Sequence, residues 1–137
     1  MKVVINTCFG GFNLSTKATI RYANLLGYED TWVENEGGLN ETVWLVPPGD
    51  RVDFDDFYNV SLEERQKMNE LYSKQVISNR DMERNDPLLI QVVEELGEEA
   101  GGMCAELTIV EIPDDVEWEI NEYDGIEHIA EVHRTWR

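Results

Sequence analysis

Positive charge is scarce in this sequence. Its 11 lysines and arginines stand against 29 aspartates and glutamates, and the formal net charge is −18 at pH 7. Binding to a nucleic-acid backbone requires clustered basic side chains, so direct nucleic-acid binding through a basic patch is disfavoured. The few cations are also unevenly placed, since the first 28 residues contain Lys2, Lys17 and Arg21 and no acidic residue. This asymmetry predicts a relatively positive N-terminal end that would attract anionic ligands.

Cysteine and long apolar runs are scarce as well. The two cysteines are Cys8 and Cys104, and their wide separation fits neither a zinc motif nor a disulfide framework, which predicts reduced thiols and no bound metal. The apolar stretches are too short for a membrane span, and Val3 to Ile5 is too short for the core of a signal peptide. We therefore expect a cytoplasmic protein that uses neither a membrane nor a cofactor.

Three helices are predicted from their start and stop signals. Ser15 is a good N-cap for an amphipathic run that ends near Gly27. A second helix, over about 62 to 78, follows a capping box at Ser61. Asp86 and Pro87 together are typical of a third helix start, because proline is favoured at the first helical position.

The remaining apolar segments read as strands. Residues 2–5 form a short β-branched run, and a hairpin is predicted around Trp32 and Trp44. From Met103 onward the apolar residues alternate with acidic ones, which is typical of half-buried strands. The sequence therefore predicts a single α+β domain over residues 1–137, with a mostly antiparallel sheet of four to six strands and about three helices packed on it.

The loop between the first strand and the first helix is the candidate binding surface. It combines polar side chains, two glycines and two aromatic rings: Asn6, Thr7, Cys8, Phe9, Gly10, Gly11 and Phe12, followed by Ser15. Glycines let backbone N–H groups approach a ligand closely, and a helix N-terminus favours negative charge. The standard nucleotide motifs are absent from the loop. A tight structural turn with Phe9 and Phe12 packed in the core is the alternative.

Two arginines are candidates for charge neutralisation at this loop. Arg80 and Arg84 lie in the polar linker before the third helix, and an arginine fork suits a ligand phosphate. The alternative is that they pair with the neighbouring Asp81 and Glu83.

Catalysis is disfavoured by the sequence. Cys8 has no nearby histidine in the sequence, and His128 is expected to be a half-buried sheet residue, so a small enzyme that uses either residue is the least favoured function. No catalytic residue is assigned.

Three segments of the chain carry a resemblance: VVINTCFGGFNLS, RNDPLLIQVVEELGEEAGG and AELTIVEIPDDVEWEINEYDGIEHIAEVHRTW. They resemble a group of small phage and prophage proteins without an established activity. By context, that resemblance implies a phage accessory protein. Small acidic phage proteins include counter-defence factors that sequester nucleotide immune signals, such as the Thoeris anti-defence and anti-CBASS proteins. The analogy carries over no site residue.

Taken together, these features favour a non-catalytic protein that sequesters a nucleotide-derived immune signal, of the cyclic nucleotide or ADP-ribose type. In this hypothesis the polar groups and glycine backbone of the loop hold phosphate or ribose, a phenylalanine stacks on the base, and Arg80 or Arg84 neutralises charge.

The alternative is an acidic inhibitor or DNA mimic that blocks a host defence protein. Seven glutamates would form its binding face: Glu106, Glu111, Glu117, Glu119, Glu122, Glu127 and Glu131. A homo-oligomer is also expected, because an edge strand and the C-terminal segment around Trp136 would pair across subunits.

Overall fold

The computed structural model describes residues 1–38, 41–79 and 82–132. Within them the predicted α+β class is confirmed, with three α-helices and six strands that all pair antiparallel. The elements are β1 (Lys2–Asn6), α1 (Thr16–Leu25), β2 (Trp32–Glu34), β3 (Thr42–Trp44), α2 (Leu62–Gln75), α3 (Pro87–Leu96), β4 (Leu107–Glu111), β5 (Trp118–Tyr123) and β6 (Ile126–Glu131). The strands form three two-stranded ladders: β1 with β4, β2 with β3, and β5 with β6.

The chain divides into two compact units. The first comprises the described residues of Met1–Tyr22 and Asn79–Arg137, and the second is Ala23–Ser78. None of the helices in the described ranges has the length and apolar character needed to cross a membrane.

The core of the first unit is built on β1. Val3, Val4 and Ile5 are buried, so both faces of this strand are covered. Helix α3 packs against β1 and β4 through an apolar stripe that includes Leu89 and Val92, as the sequence predicts. The helix begins where expected, because the Asp86 side chain accepts a hydrogen bond from the Leu88 N–H and Pro87 occupies the first turn.

Helices α1 and α3 are joined by a partly buried polar contact in this unit. The Tyr22 hydroxyl donates to the Asp86 carboxylate at 2.5 Å. Burial, and then this hydrogen bond, raises the pKa of Tyr22 to about 12. The same carboxylate thus caps α3 and fixes α1.

The second unit contains the β2–β3 hairpin and α2. Ser61 caps α2 as predicted, by accepting a hydrogen bond from the Glu64 N–H. The helix ends at Gln75, before the predicted 78, because Val76 is extended and forms a β-bridge with Trp44. Trp44 is buried and packs edge-on against the Tyr72 ring at 5.5 Å.

Candidate functional site

Asn6 organises the loop that follows β1. Its side chain is fully buried, and its Nδ2 donates to the carbonyl oxygens of Cys8 and Gly125, both at 2.7 Å. Its Oδ1 accepts from the N–H groups of Cys8 and Glu106, at 3.3 and 2.9 Å. An asparagine side chain has two donors and two acceptor lone pairs, so all four are used. The side chain ties three segments together and keeps no polar group for a ligand.

Beside Asn6 lies an ion pair between Arg84 and Glu127. The guanidinium Nη1 and Nη2 donate to the two carboxylate oxygens at 2.6 and 2.8 Å, and the side chains are 18% and 8% exposed. This parallel arrangement is the strongest geometry for an arginine and a carboxylate. The sequence analysis gives Asp81 and Glu83 as alternative partners of Arg84. The salt bridge of Arg84 in the described part of the chain is with Glu127, and Asp81 lies outside the described residues.

The ion pair also completes the free edge of β1. Strands β1 and β6 lie side by side, yet no ladder joins them in the described part of the chain. Instead, the Asn6 N–H donates to Glu127 Oε1 at 2.8 Å, the Val4 N–H donates to the Arg84 carbonyl at 2.8 Å, and Arg84 Nη1 donates to the Val4 carbonyl at 3.3 Å. The two side chains and the Arg84 main-chain carbonyl therefore satisfy backbone groups that a neighbouring strand would otherwise satisfy.

Phe12 and Arg84 form one wall of a cavity. The guanidinium carbon lies 3.6 Å from the centroid of the Phe12 ring, within the range of a cation–π contact. The cavity has a volume of about 390 Å³, and we refer to it as the Phe12 cavity. Its lining consists of Gly11, Phe12, Asn79, Arg84, Ile120, Glu122 and Glu127. Three predicted site residues, Gly11, Phe12 and Arg84, thus meet at one place.

Other predicted site residues lie elsewhere. Thr7 is exposed and donates to the Glu106 carbonyl at 3.3 Å, and Cys8 is half-buried. Phe9 is 61% exposed, so the alternative in which both phenylalanines fill the core is wrong for Phe9. Arg80 falls outside the described residues, as does Trp136.

The glycines of the loop meet the β5–β6 turn. Gly10 and Gly11 have positive φ values of 112° and 90°, which favour glycine. A Cβ on Gly125 would lie 2.7 Å from Gly10 N and would overlap Gly11 N. A Cβ on Gly10 would lie 2.7 Å from the Cys104 Cβ. Close backbone packing therefore requires glycine at both Gly10 and Gly125.

Ser15 is the N-terminal cap of α1, as predicted. Its Oγ accepts from the Ala18 N–H at 3.1 Å and donates to the Glu99 carbonyl at 2.7 Å. These bonds anchor the helix start to the segment after α3, and Ser15 is not among the residues that line the Phe12 cavity.

The N-terminal cations face the glutamates of the α3 region. Salt bridges join Lys2 to Glu94, Lys17 to Glu99 and Arg21 to Glu95, each at 2.8 Å. The hydrogen bond from Arg21, followed by that from Gln91, lowers the pKa of Glu95 to about 2. The expected attraction of anions by these three cations is therefore weakened, because each charge is compensated locally.

The seven glutamates proposed as one acidic face are divided by the strand register. Trp118, Ile120 and Glu122 share one face of β5, whereas Glu119 lies on the other, opposite Ala130 of β6. Since Glu127 is also buried, the prediction of a single acidic face is wrong.

His128 is exposed and pairs across the hairpin with Asn121, so the prediction that it is half-buried is wrong too.

Four lining residues were missed as ligand contacts by sequence reasoning. They are Asn79, Ile120, Glu122 and Glu127. One signal was available, since no lysine or arginine lies between Arg84 and Arg134, so these two arginines flank any buried acid in this interval. The alternation of residues in β6 instead predicts that Ile126 and His128 lie on the side of the strand that packs against the protein.

Comparisons with protein-family models, with curated proteins and with solved structures found no match to this chain.

Proposed function

We propose that this chain is a phage-encoded, non-catalytic binding protein that sequesters a nucleotide-derived signal in the cytoplasm of the host bacterium. The signal would be of the cyclic nucleotide or ADP-ribose type. The observation that supports this proposal is the Phe12 cavity, whose volume of about 390 Å³ lies within the range of small-molecule sites.

The wall of the cavity suits a planar ligand. Phe12 supplies an aromatic ring and Arg84 a planar guanidinium, and each of these groups stacks on nucleobases. Because the Arg84 guanidinium covers one face of the Phe12 ring, a base would stack on the opposite face of the ring. Stacking of a base on an aromatic side chain contributes about 1–3 kcal/mol. Because Glu127 and the Val4 carbonyl already hold the guanidinium, little side-chain entropy would be lost on binding.

Sequestration requires affinity and no proton transfer. The cavity brings together an arginine and two carboxylates, and Arg84 and Glu127 are engaged with each other. Neither Cys8 nor His128 belongs to the lining. These positions support a binding role over a reaction that uses either residue.

Native mass spectrometry with a panel of mono-, cyclic and ADP-ribose nucleotides tests the proposal. We expect a stoichiometric adduct in which the ligand keeps its mass. The variant Phe12→Ala should lose the adduct because it removes one wall, whereas Phe9→Ala, at an exposed phenylalanine outside the lining, should retain it.

Equal binding by both variants would remove the cavity from the proposal, and a panel without any adduct would contradict the proposed function itself. The same spectra report the subunit number, which tests the predicted homo-oligomer.

A further inference from the structure

The described lining of the Phe12 cavity contains hydrogen-bond acceptors that have no donor. Among the described residues, the lining carries one cation, Arg84, and two carboxylates, Glu122 and Glu127, whose charges sum to −1. Asn79 contributes a buried Oδ1 that has no partner among the described residues. Arg84 is already paired with Glu127, so the described part of the lining offers no uncompensated cation to a phosphate.

Glu122 is the acceptor with the most spare capacity. Its Oε1 accepts from the Gly125 N–H at 2.7 Å, and within the described ranges Oε2 has no hydrogen-bond donor. Glu127, in contrast, accepts from Asn6 and twice from Arg84. A carboxylate has about four lone-pair sites, so Glu122 is able to accept further N–H groups from a ligand.

The chemistry of the base edges decides which nucleotide fits such a lining. Guanine presents N1–H and the N2 amino group side by side, and a carboxylate accepts two parallel N–H groups well. Hypoxanthine keeps N1–H and lacks the amino group. Adenine places its N1 acceptor beside its amino group, and this acceptor would face a carboxylate oxygen.

We infer that the Phe12 cavity selects a guanine-type base, with Glu122 reading the N1–H and N2 amino groups. This inference rests on the proposed function and narrows it, because the base and not the phosphate enters the cavity. The ring of the base stacks beside Phe12 and Arg84, and any phosphate stays at the solvent side.

Isothermal titration of the full chain with guanosine, inosine and adenosine tests the inference without phosphate. We expect guanosine to bind at least about tenfold more tightly than inosine, since one charge-assisted hydrogen bond is lost. Adenosine should bind more weakly than inosine.

The variant Glu122→Gln keeps an oxygen for the Gly125 N–H and removes the charge. We expect it to weaken guanosine binding at least about tenfold and to reduce the preference over adenosine. Glu119→Gln is the matched control, since Glu119 is exposed on the opposite face of β5. Circular dichroism of both variants verifies that the fold is retained.

Three results would overturn the inference. Equal binding of the three nucleosides, or a preference for adenosine, would exclude guanine selection while leaving the proposed function standing. Failure of guanosine to bind when a nucleotide forms an adduct in the mass spectra would show that phosphate is recognised instead. Absence of any adduct and of any nucleoside binding would end both the inference and the proposed function.

Discussion

Removing the buried carboxylate of Glu127 should destabilise the fold strongly. Glu127→Ala leaves Arg84 without its counter-ion and the buried Asn6 N–H without its acceptor. Breaking a buried ion pair by removing one partner costs about 3–5 kcal/mol, and an unsatisfied buried N–H costs about 1–3 kcal/mol. Because these costs overlap, we expect a loss of about 4–6 kcal/mol in the free energy of unfolding.

A loss of this size approaches the total stability of many domains, which is about 5–15 kcal/mol. Glu127→Gln is therefore the more informative variant, since its amide oxygen still accepts from Asn6. We expect it to cost about 2–3 kcal/mol. The double variant Arg84→Met/Glu127→Gln should lose less free energy of unfolding than the sum of the losses in the two single variants, because no unpaired charge remains.

Urea unfolding at pH 7, followed by tryptophan fluorescence and circular dichroism, measures these differences. Glu95→Gln serves as the control, because its salt bridge with Arg21 is exposed and should contribute little. The reasoning would be refuted if Glu127→Gln unfolded at the same urea concentration as Glu95→Gln, or if the double variant showed no coupling.

Three further predictions concern the same unit. Tyr22→Phe removes a hydroxyl whose pKa is raised to about 12, above the unfolded value of about 10. The stabilisation from this hydroxyl is therefore complete below about pH 10 and is lost between about pH 10 and 12. In alkaline unfolding curves, Tyr22→Phe should lose less stability across this pH window than the natural protein, whereas Tyr28→Phe should behave like the natural protein. Gly125→Ala should lower the free energy of unfolding in urea by about 2–4 kcal/mol, because the residue has a positive φ and the new Cβ would overlap backbone nitrogens. Gly49→Ala should lower it far less, since the space around its Cβ is open. Similar unfolding midpoints for the two variants would disprove the close packing at Gly125. Asn6→Ala should lower the free energy of unfolding by at least about 3 kcal/mol, because the four hydrogen bonds of a buried side chain are lost. A loss below about 1 kcal/mol in the same assay would contradict the role of this side chain.

Local signals in the sequence determined much of the fold. Ser15, Ser61 and Asp86 each begin a helix as predicted, because a side-chain oxygen next to a helical run satisfies backbone N–H groups within three residues. The alternation after Met103 likewise predicted strands. These features depend on neighbours in the chain, so a sequence read in short windows reveals them.

The site was decided by tertiary structure. Arg84 and Glu127 are separated by 43 positions, and the Asn6 N–H finds Glu127 across 121 positions. Which face of β6 turns inward depends on strand register, since a shift by one residue exchanges the two faces. The sequence alone determined that the chain carries strands, capped helices and few cations. Only the tertiary structure decided that Glu127 is buried, that it engages Arg84, and that the cavity beside them contains acceptors without a donor, because those properties arise from contacts between distant residues.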